Sequence, residues 1–139
     1  MIRYRLDTNV LLRFMTHDDA AQADKADALF ERAAAGDCLL LLDKIVLTEA
    51  VWVLRTAYDQ PRERIAETLG KLIIKPGIRC EGGPVTLDAL YRYKTTNLDI
   101  VDCFLAAQSA AEGDAVATFD TGFARFPDVQ LWDPEGGNG

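Results

Sequence analysis

The chain has 139 residues, 49% of them hydrophobic and 27% charged, with a formal net charge of −7. That length suits one domain with its own core, and the composition is that of an ordinary soluble globular protein. Its three cysteines (Cys38, Cys80, Cys103) are far apart and form no CxxC pair, which argues against a disulfide framework and a zinc site and fits a reducing cytosol.

Ile2 to Leu6 reads as a first strand, and the charges of Arg3 and Arg5 stand where a signal peptide needs apolar residues. No apolar run approaches the ~20 residues that span a bilayer, so a cytoplasmic protein without a membrane partner is expected. A short helix follows from about Asn9 to Met15. Asp18 or Asp19 then caps an Ala-rich helix that closes at Gly36, where a C-cap glycine belongs. Cys38 to Leu42 is apolar throughout, as expected of a parallel strand covered on both faces. Helices are expected over Lys44 to Tyr58 and Pro61 to Ile74, then a third strand at Ile78 to Glu81. Two more helices follow, Pro84 to about Lys94 and Asp99 to Glu112, the second ended by Gly113. Ala115 to Phe119 and Val129 to Trp132 complete the strands, and Pro134 to Gly139 has the composition of a frayed tail. Short strands alternating with helices imply an α/β fold with a mostly parallel sheet of roughly five strands, its order unreadable, over residues 1–133, with a disordered tail at 134–139.

Asp7 and Asp120 each follow a strand directly, where open parallel sheets place their chemistry. Each alone is equally well a turn residue or helix N-cap. Glu49 has Ile45, Val46, Trp52 and Val53 as helical neighbours, and a carboxylate buried on such a face is costly without a partner. The bland alternative is a glutamate at the edge of the stripe, reaching water. Asp99 and Asp102 share one face at the start of an apolar helix, where capping and the helix dipole also favour acids. If these acids converge, a divalent cation is the economical way to offset their repulsion. The chain has one histidine, His17, and its cysteines lie in apolar runs, so the oxygen-only donors suit Mg²⁺ or Mn²⁺. Such ions support phosphodiester hydrolysis.

Asp7-Thr8-Asn9-Val10-Leu11-Leu12-Arg13-Phe14, Thr48-Glu49-Ala50-Val51-Trp52-Val53-Leu54, Asp99-Ile100-Val101-Asp102 running into Leu105-Ala106-Ala107, and Thr118-Phe119-Asp120 with Phe123-Ala124-Arg125-Phe126 occur in that order. Together they resemble the PIN-domain family, specifically VapC-type toxins of toxin–antitoxin pairs, over about Ile2 to Trp132. The resemblance implies a PIN-like α/β/α sandwich and a Mg²⁺- or Mn²⁺-dependent endoribonuclease acting on RNA. It also implies a frequent homodimer and a small VapB-like antitoxin that blocks the acidic pocket. It assigns the catalytic, metal-binding acids to Asp7, Glu49, Asp102 and Asp120. Asn9 matches a residue that steadies the first aspartate, Thr118 a hydroxyl position, and Asp99 an auxiliary acid. Cys103-Phe104 departs from the usual small or aliphatic residues and bears on local packing.

A pocket of carboxylates would account for most of the net charge, and metal would make it attractive to phosphate. Arg13, Lys44, Arg55 and Arg125 are candidate RNA contacts, each equally an ordinary solvated charge. Two rivals remain. A Mg²⁺ phosphotransfer or phosphatase domain also uses acids at strand ends, but receivers need paired acids and a late lysine, and the phosphatases need Asp-x-Asp where this chain has Asp-Thr-Asn. A non-catalytic PIN-like RNA-binding module would be expected to lack acids.

Overall fold

A computed structural model describes residues 1–136 and divides the chain into two compact units, Met1–Gly83 and the remainder from Pro84. The first contains β1 (Ile2–Arg5), α1 (Thr8–Thr16), α2 (Ala20–Ala34), β2 (Cys38–Leu42), α3 (Lys44–Thr56), α4 (Arg62–Ile73) and β3 (Ile78–Cys80). After the junction come α5 (Gly83–Thr95), α6 (Ile100–Glu112), β4 (Ala115–Val116), a 3₁₀ turn over Thr121–Arg125, and β5 (Gln130–Leu131). The fold is of the α/β class.

Parallel pairing forces each strand to return through a crossover, and here every crossover in the first unit carries two helices. The three-stranded sheet has the order β1-β2-β3, with Ile2 opposite Cys38 and Leu40 opposite Ile78. β2 is therefore central. Its consecutive residues Leu40, Leu41 and Leu42 are all buried, which requires cover on both faces, as the uniformly apolar sequence implied. Leu11, Leu47, Val51, Leu54, Ile65 and Leu69 are buried to within 1% and build the core of this unit. At its margin Phe14 and Phe30 stack with ring centroids 3.8 Å apart.

The five expected strands are present, but among the described residues they form two sheets, β1-β2-β3 and β4-β5. The fourth strand stops at Val116, three residues early. Beyond it the hydroxyl of Thr118 accepts the backbone N–H of Asp120 at 2.9 Å, so a local side-chain turn replaces a ladder. Trp132 N–H still donates to Val116 O at 2.9 Å and keeps the end of β5 beside β4.

Helix ends follow the chemistry of their caps. Asp19, not Asp18, caps α2 by accepting Gln22 N–H at 3.0 Å, and Gly113 ends α6 at φ 75. Residues 134–136 form a turn closed by Gly136 N–H on Asp133 O; the rest of the expected tail, 137–139, lies outside the described residues. Cys103 and Phe104 are both buried in α6, so the unusual pair is absorbed into the packing. No helix among the described residues is long and apolar enough to cross a membrane.

In the second unit the core includes Leu90, Ala106, Ala107 and Phe123, and it also buries a cation. Arg92 is 7% exposed. Its two Nη atoms donate to Asp128 at 3.0 and 2.5 Å, its Nε donates to Asp88 at 3.1 Å, and it lies 4.8 Å from the Phe126 ring centroid. The paired guanidinium holds the Asp128 carboxyl below the usual carboxylate range.

Two outcomes are expected. A Cβ at Gly77 (φ +84) would stand 2.2 Å from the carbonyl oxygen of Ala33, so Gly77→Ala combines a left-handed backbone with a backbone clash. It should cost about 2–4 kcal/mol in denaturant melts. Arg92→Met should cost about 1–3 kcal/mol, since Asp88 and Asp128 lose their partner while keeping partial solvent access. Asp128 binds protons less readily folded than unfolded, so its stabilisation is present above the ordinary carboxylate pKa and is lost as pH falls through its lowered value. Stability measured against pH should show a shallower acid limb in Arg92→Met than in wild type.

Candidate active site

In the first unit the acids are placed by two junctions from strand to helix. Asp7 follows β1 after Leu6 and occupies the N-cap of α1 with extended backbone angles (φ −81, ψ 150). An N-cap aspartate ordinarily spends its carboxylate on the first turn. The Asp7 side chain makes no such bond and is exposed, so the turn-residue reading does not account for its carboxylate. The next residue, Thr8, is buried, and its hydroxyl donates to Glu49 Oε2 at 3.2 Å. That bond ties the middle of α3 to the first turn of α1, beside Asp7. Nothing in the spacing alone assigns Thr8 this part.

Glu49 itself is exposed. The burial argument for it fails because none of its four apolar neighbours is core: Ile45 is 82% and Trp52 64% exposed, and Val46 and Val53 are half-buried. Glu49 therefore rests on its hydrogen bond with Thr8 and not on a dry environment. Among the described residues no hydrogen bond joins Asn9 to Asp7. Asn9 instead lines a cleft of about 320 Å³ between α1 and α2 with Val10, Arg13, Gln22, Lys25 and Leu29.

In the second unit the charges of two acids, Asp99 and Asp120, act on a third, Asp102. Asp99 is the N-cap of α6, again without a side-chain cap bond, and Asp102 lies in the first turn. Asp120 begins the 3₁₀ turn, where its Oδ1 accepts Gly122 N–H at 2.8 Å. Partial burial pushes the Asp102 carboxyl up, and the charges of Asp99 and then Asp120 push it further. Thr118 sets the geometry by accepting the N–H of Asp120. Gly122 is a further part of this arrangement. A Cβ there would meet Leu98 Cδ2 at 2.8 Å and Asp120 Oδ1 at 3.0 Å, so a side chain would displace the tip of Leu98 and press the carboxylate aside by a few tenths of an ångström.

The donor set is all oxygen, and the carboxylates of Asp7 and Asp99 are not consumed by the caps they occupy, as Mg²⁺ or Mn²⁺ would require. No group of three or more potential ligands in metal-holding proximity occurs among the described residues. The chemistry of the donors fits a hard cation; an assembled coordination sphere is not present. The lone histidine, His17, is exposed at the C-cap of α1 and pairs with Asp27 at 3.0 Å, so it is committed elsewhere.

The four candidate RNA-contacting cations differ in their freedom. Arg13 is held by Gln22 at 2.9 Å and Asp18 at 3.3 Å, within a network that includes Tyr58. The Tyr58 hydroxyl, with lesser help from Thr16 and Arg13, keeps the Asp18 carboxyl below its usual range. Arg55 pairs with Asp59 at 3.4 Å, Lys44 is exposed, and Arg125 donates its Nε to Gly122 O at 3.0 Å.

Comparison with known proteins finds likenesses among solved structures and among protein families. A chain of the crystal structure described as VapBC2 from Rickettsia felis bound to a DNA fragment from their promoter is similar at 18% identity, with a TM-score of 0.40, over 95% of this chain and 100% of that one. No curated protein matches. The family described as PIN domain matches residues 4–129, a span that holds Asp7, Glu49, Asp99, Asp102 and Asp120 together, and the chain belongs to the PIN domain family.

Proposed function

We propose that the chain is a ribonuclease dependent on Mg²⁺ or Mn²⁺, and the toxin component of a type II toxin–antitoxin pair. PIN domains are generally nucleases. The observation that carries the reading to this chain is the setting of Asp102 in the first turn of α6, where partial burial first, and then the charges of Asp99 and Asp120, push its carboxyl up. A fold bears such repulsion most economically where a cation relieves it.

In this reading Asp7, Glu49, Asp102 and Asp120 hold the ion, and Asp99 assists. The bound ion would supply Lewis-acid polarisation of the phosphodiester and neutralise developing charge. The remaining work belongs to the chain's own groups. Thr8 fixes the rotamer of Glu49, Thr118 and Gly122 fix Asp120, and the first turn of α6, anchored by buried Ile100 and Cys103, orients Asp102. RNA as substrate, a small antitoxin covering the acids and a homodimer rest on the motif resemblance, and a cytoplasmic location on the scattered cysteines and the charged first strand. The net charge of −7 accords with a site that attracts phosphate only when a cation is present.

Purified protein incubated with total RNA should cleave it in Mg²⁺ or Mn²⁺ and not in EDTA. Asp102→Asn should lower cleavage by about 100-fold or more while the fold is kept. The same variant should melt higher than wild type without metal. Asp102 binds its proton more tightly folded than unfolded, so stability falls as pH rises from the ordinary carboxylate pKa through its raised value. The amide removes that loss. Metal should raise the melting temperature of wild type more than that of the variant. Unchanged cleavage by Asp102→Asn would remove this residue from the site, and a drop of several degrees in its apo melting temperature would make its role structural.

A further inference from the structure

The loop that presents Asp120 also carries an aromatic side chain that the fold does not use. Phe119 is 89% exposed, the most exposed large hydrophobic residue in the described chain. Single exposed apolar residues are common on protein surfaces and need no function. Three features set this one apart.

It immediately precedes a candidate catalytic acid. It is also not solitary, because Trp132, itself 40% exposed, lies with its ring centroid 5.6 Å away at 72° to the Phe119 ring. The pairing of β5 with β4, continued by Trp132 N–H on Val116 O, puts the indole there. A T-shaped contact engages at most one face of the phenyl ring, so at least one face stays open to a planar ligand. Finally, the same segment carries Arg125. Its Nε is anchored on Gly122 O, it has no carboxylate partner among the described residues, and it is exposed. A protein of net charge −7 therefore leaves a cation unneutralised within six residues of the exposed ring.

An open aromatic face together with a guanidinium that has no carboxylate partner among the described residues is the combination that binds single-stranded nucleic acid. The ring stacks on a base of any identity, and the cation takes a phosphate. A duplex, whose bases are already stacked on one another, offers the ring nothing except at its ends. We infer that Phe119, buttressed by Trp132, is the stacking platform for an unpaired base next to the scissile phosphate, with Arg125 on the backbone. The loop thereby selects single-stranded RNA over duplex. This deepens the ribonuclease reading and rests on it for the identity of the nucleic acid. Phe119 is a positioning residue. It moves no proton and holds no metal.

The test measures binding of a short labelled single-stranded RNA, and of the same sequence in a duplex, by anisotropy with Ca²⁺ in place of Mg²⁺. Wild type, Phe119→Ala and Phe119→Trp are compared, and circular dichroism checks that each is folded. Phe119→Ala should weaken single-strand binding by about 5- to 100-fold, while Phe119→Trp retains it and neither changes duplex binding. In Mg²⁺ the Ala variant should show the loss in KM with kcat nearly unchanged. Single-strand affinity in Phe119→Ala within about twofold of wild type would overturn the inference. So would equal losses on single strand and duplex, or a wild-type protein that binds no single-stranded RNA. A homodimer that Phe119→Ala dissociates without altering RNA affinity would assign the ring to a second copy of the chain instead. If wild type binds single strands through Phe119 and cuts none, the platform stands and the ribonuclease reading falls. Cleavage that is indifferent to Phe119 gives the converse.

Discussion

Carboxylates repel, and in the second unit the charges of Asp99 and Asp120 both act on Asp102. Two unlike charges 4 Å apart in water attract by only about 1 kcal/mol, and two like ones repel by as much, with more where burial lowers the local dielectric. The architecture around Asp102 can be read as the means of holding that repulsion still. α6 is anchored on its inner face by Ile100, Cys103, Ala106 and Ala107, so its first turn cannot swing to separate the charges. The 3₁₀ turn that carries Asp120 is pinned by buried Phe123 and by the absence of a side chain at Gly122. Beneath it, Arg92 spends a buried guanidinium on Asp88 and Asp128 and so fixes the stretch between α5 and the last strand. That clamp uses acids outside the candidate site.

The first unit solves a different problem. It brings an acid from a strand end and an acid from the middle of a helix to a common address, and it does so through one buried hydroxyl. Thr8 begins α1, directly after Asp7, and its bond to Glu49 means that the rotamer of one acid is set by the neighbour of the other. The helix N-caps contribute by omission. Asp7 and Asp99 take the backbone conformation of capping residues and keep their oxygens free. A glutamate or asparagine at either position would have to find a different compromise between reach and turn geometry.

Much of this was legible in advance, and the failures share a cause. Cys38 to Leu42 reads as a strand covered on both faces, and Gly113 marks the end of α6 to the residue, because apolar runs and left-handed glycines are local signals. The short fourth strand was not legible. Val116, Ala117 and Thr118 all have acceptable strand character, and only the bond from Asp120 N–H to the Thr118 hydroxyl reveals that the chain turns there. Glu49 was singled out for the wrong reason. Counting apolar neighbours at helical spacing presumes that apolar residues are buried, and Ile45 and Trp52 are not. The grouping of Asp99 with Asp102 follows from helical spacing, whereas the approach of Asp120 to them depends on tertiary structure that no spacing encodes.

The exposed ring at 119 also has a colloidal side. With Phe119, Ile45, Tyr91 and Trp52 all more than half exposed, two copies of this chain meeting in solution would have apolar surface to exchange for water. Opposing that exchange is the repulsion between surplus acids, 22 against 15 basic residues, acting through the solvent at long range. That barrier reaches about 10 Å at 0.1 M ionic strength and about 3 Å at 1 M. The same carboxylates that invite a divalent cation thus serve as the dispersant of the free protein, and a concentrated salt solution withdraws their protection while leaving the sticky surface in place.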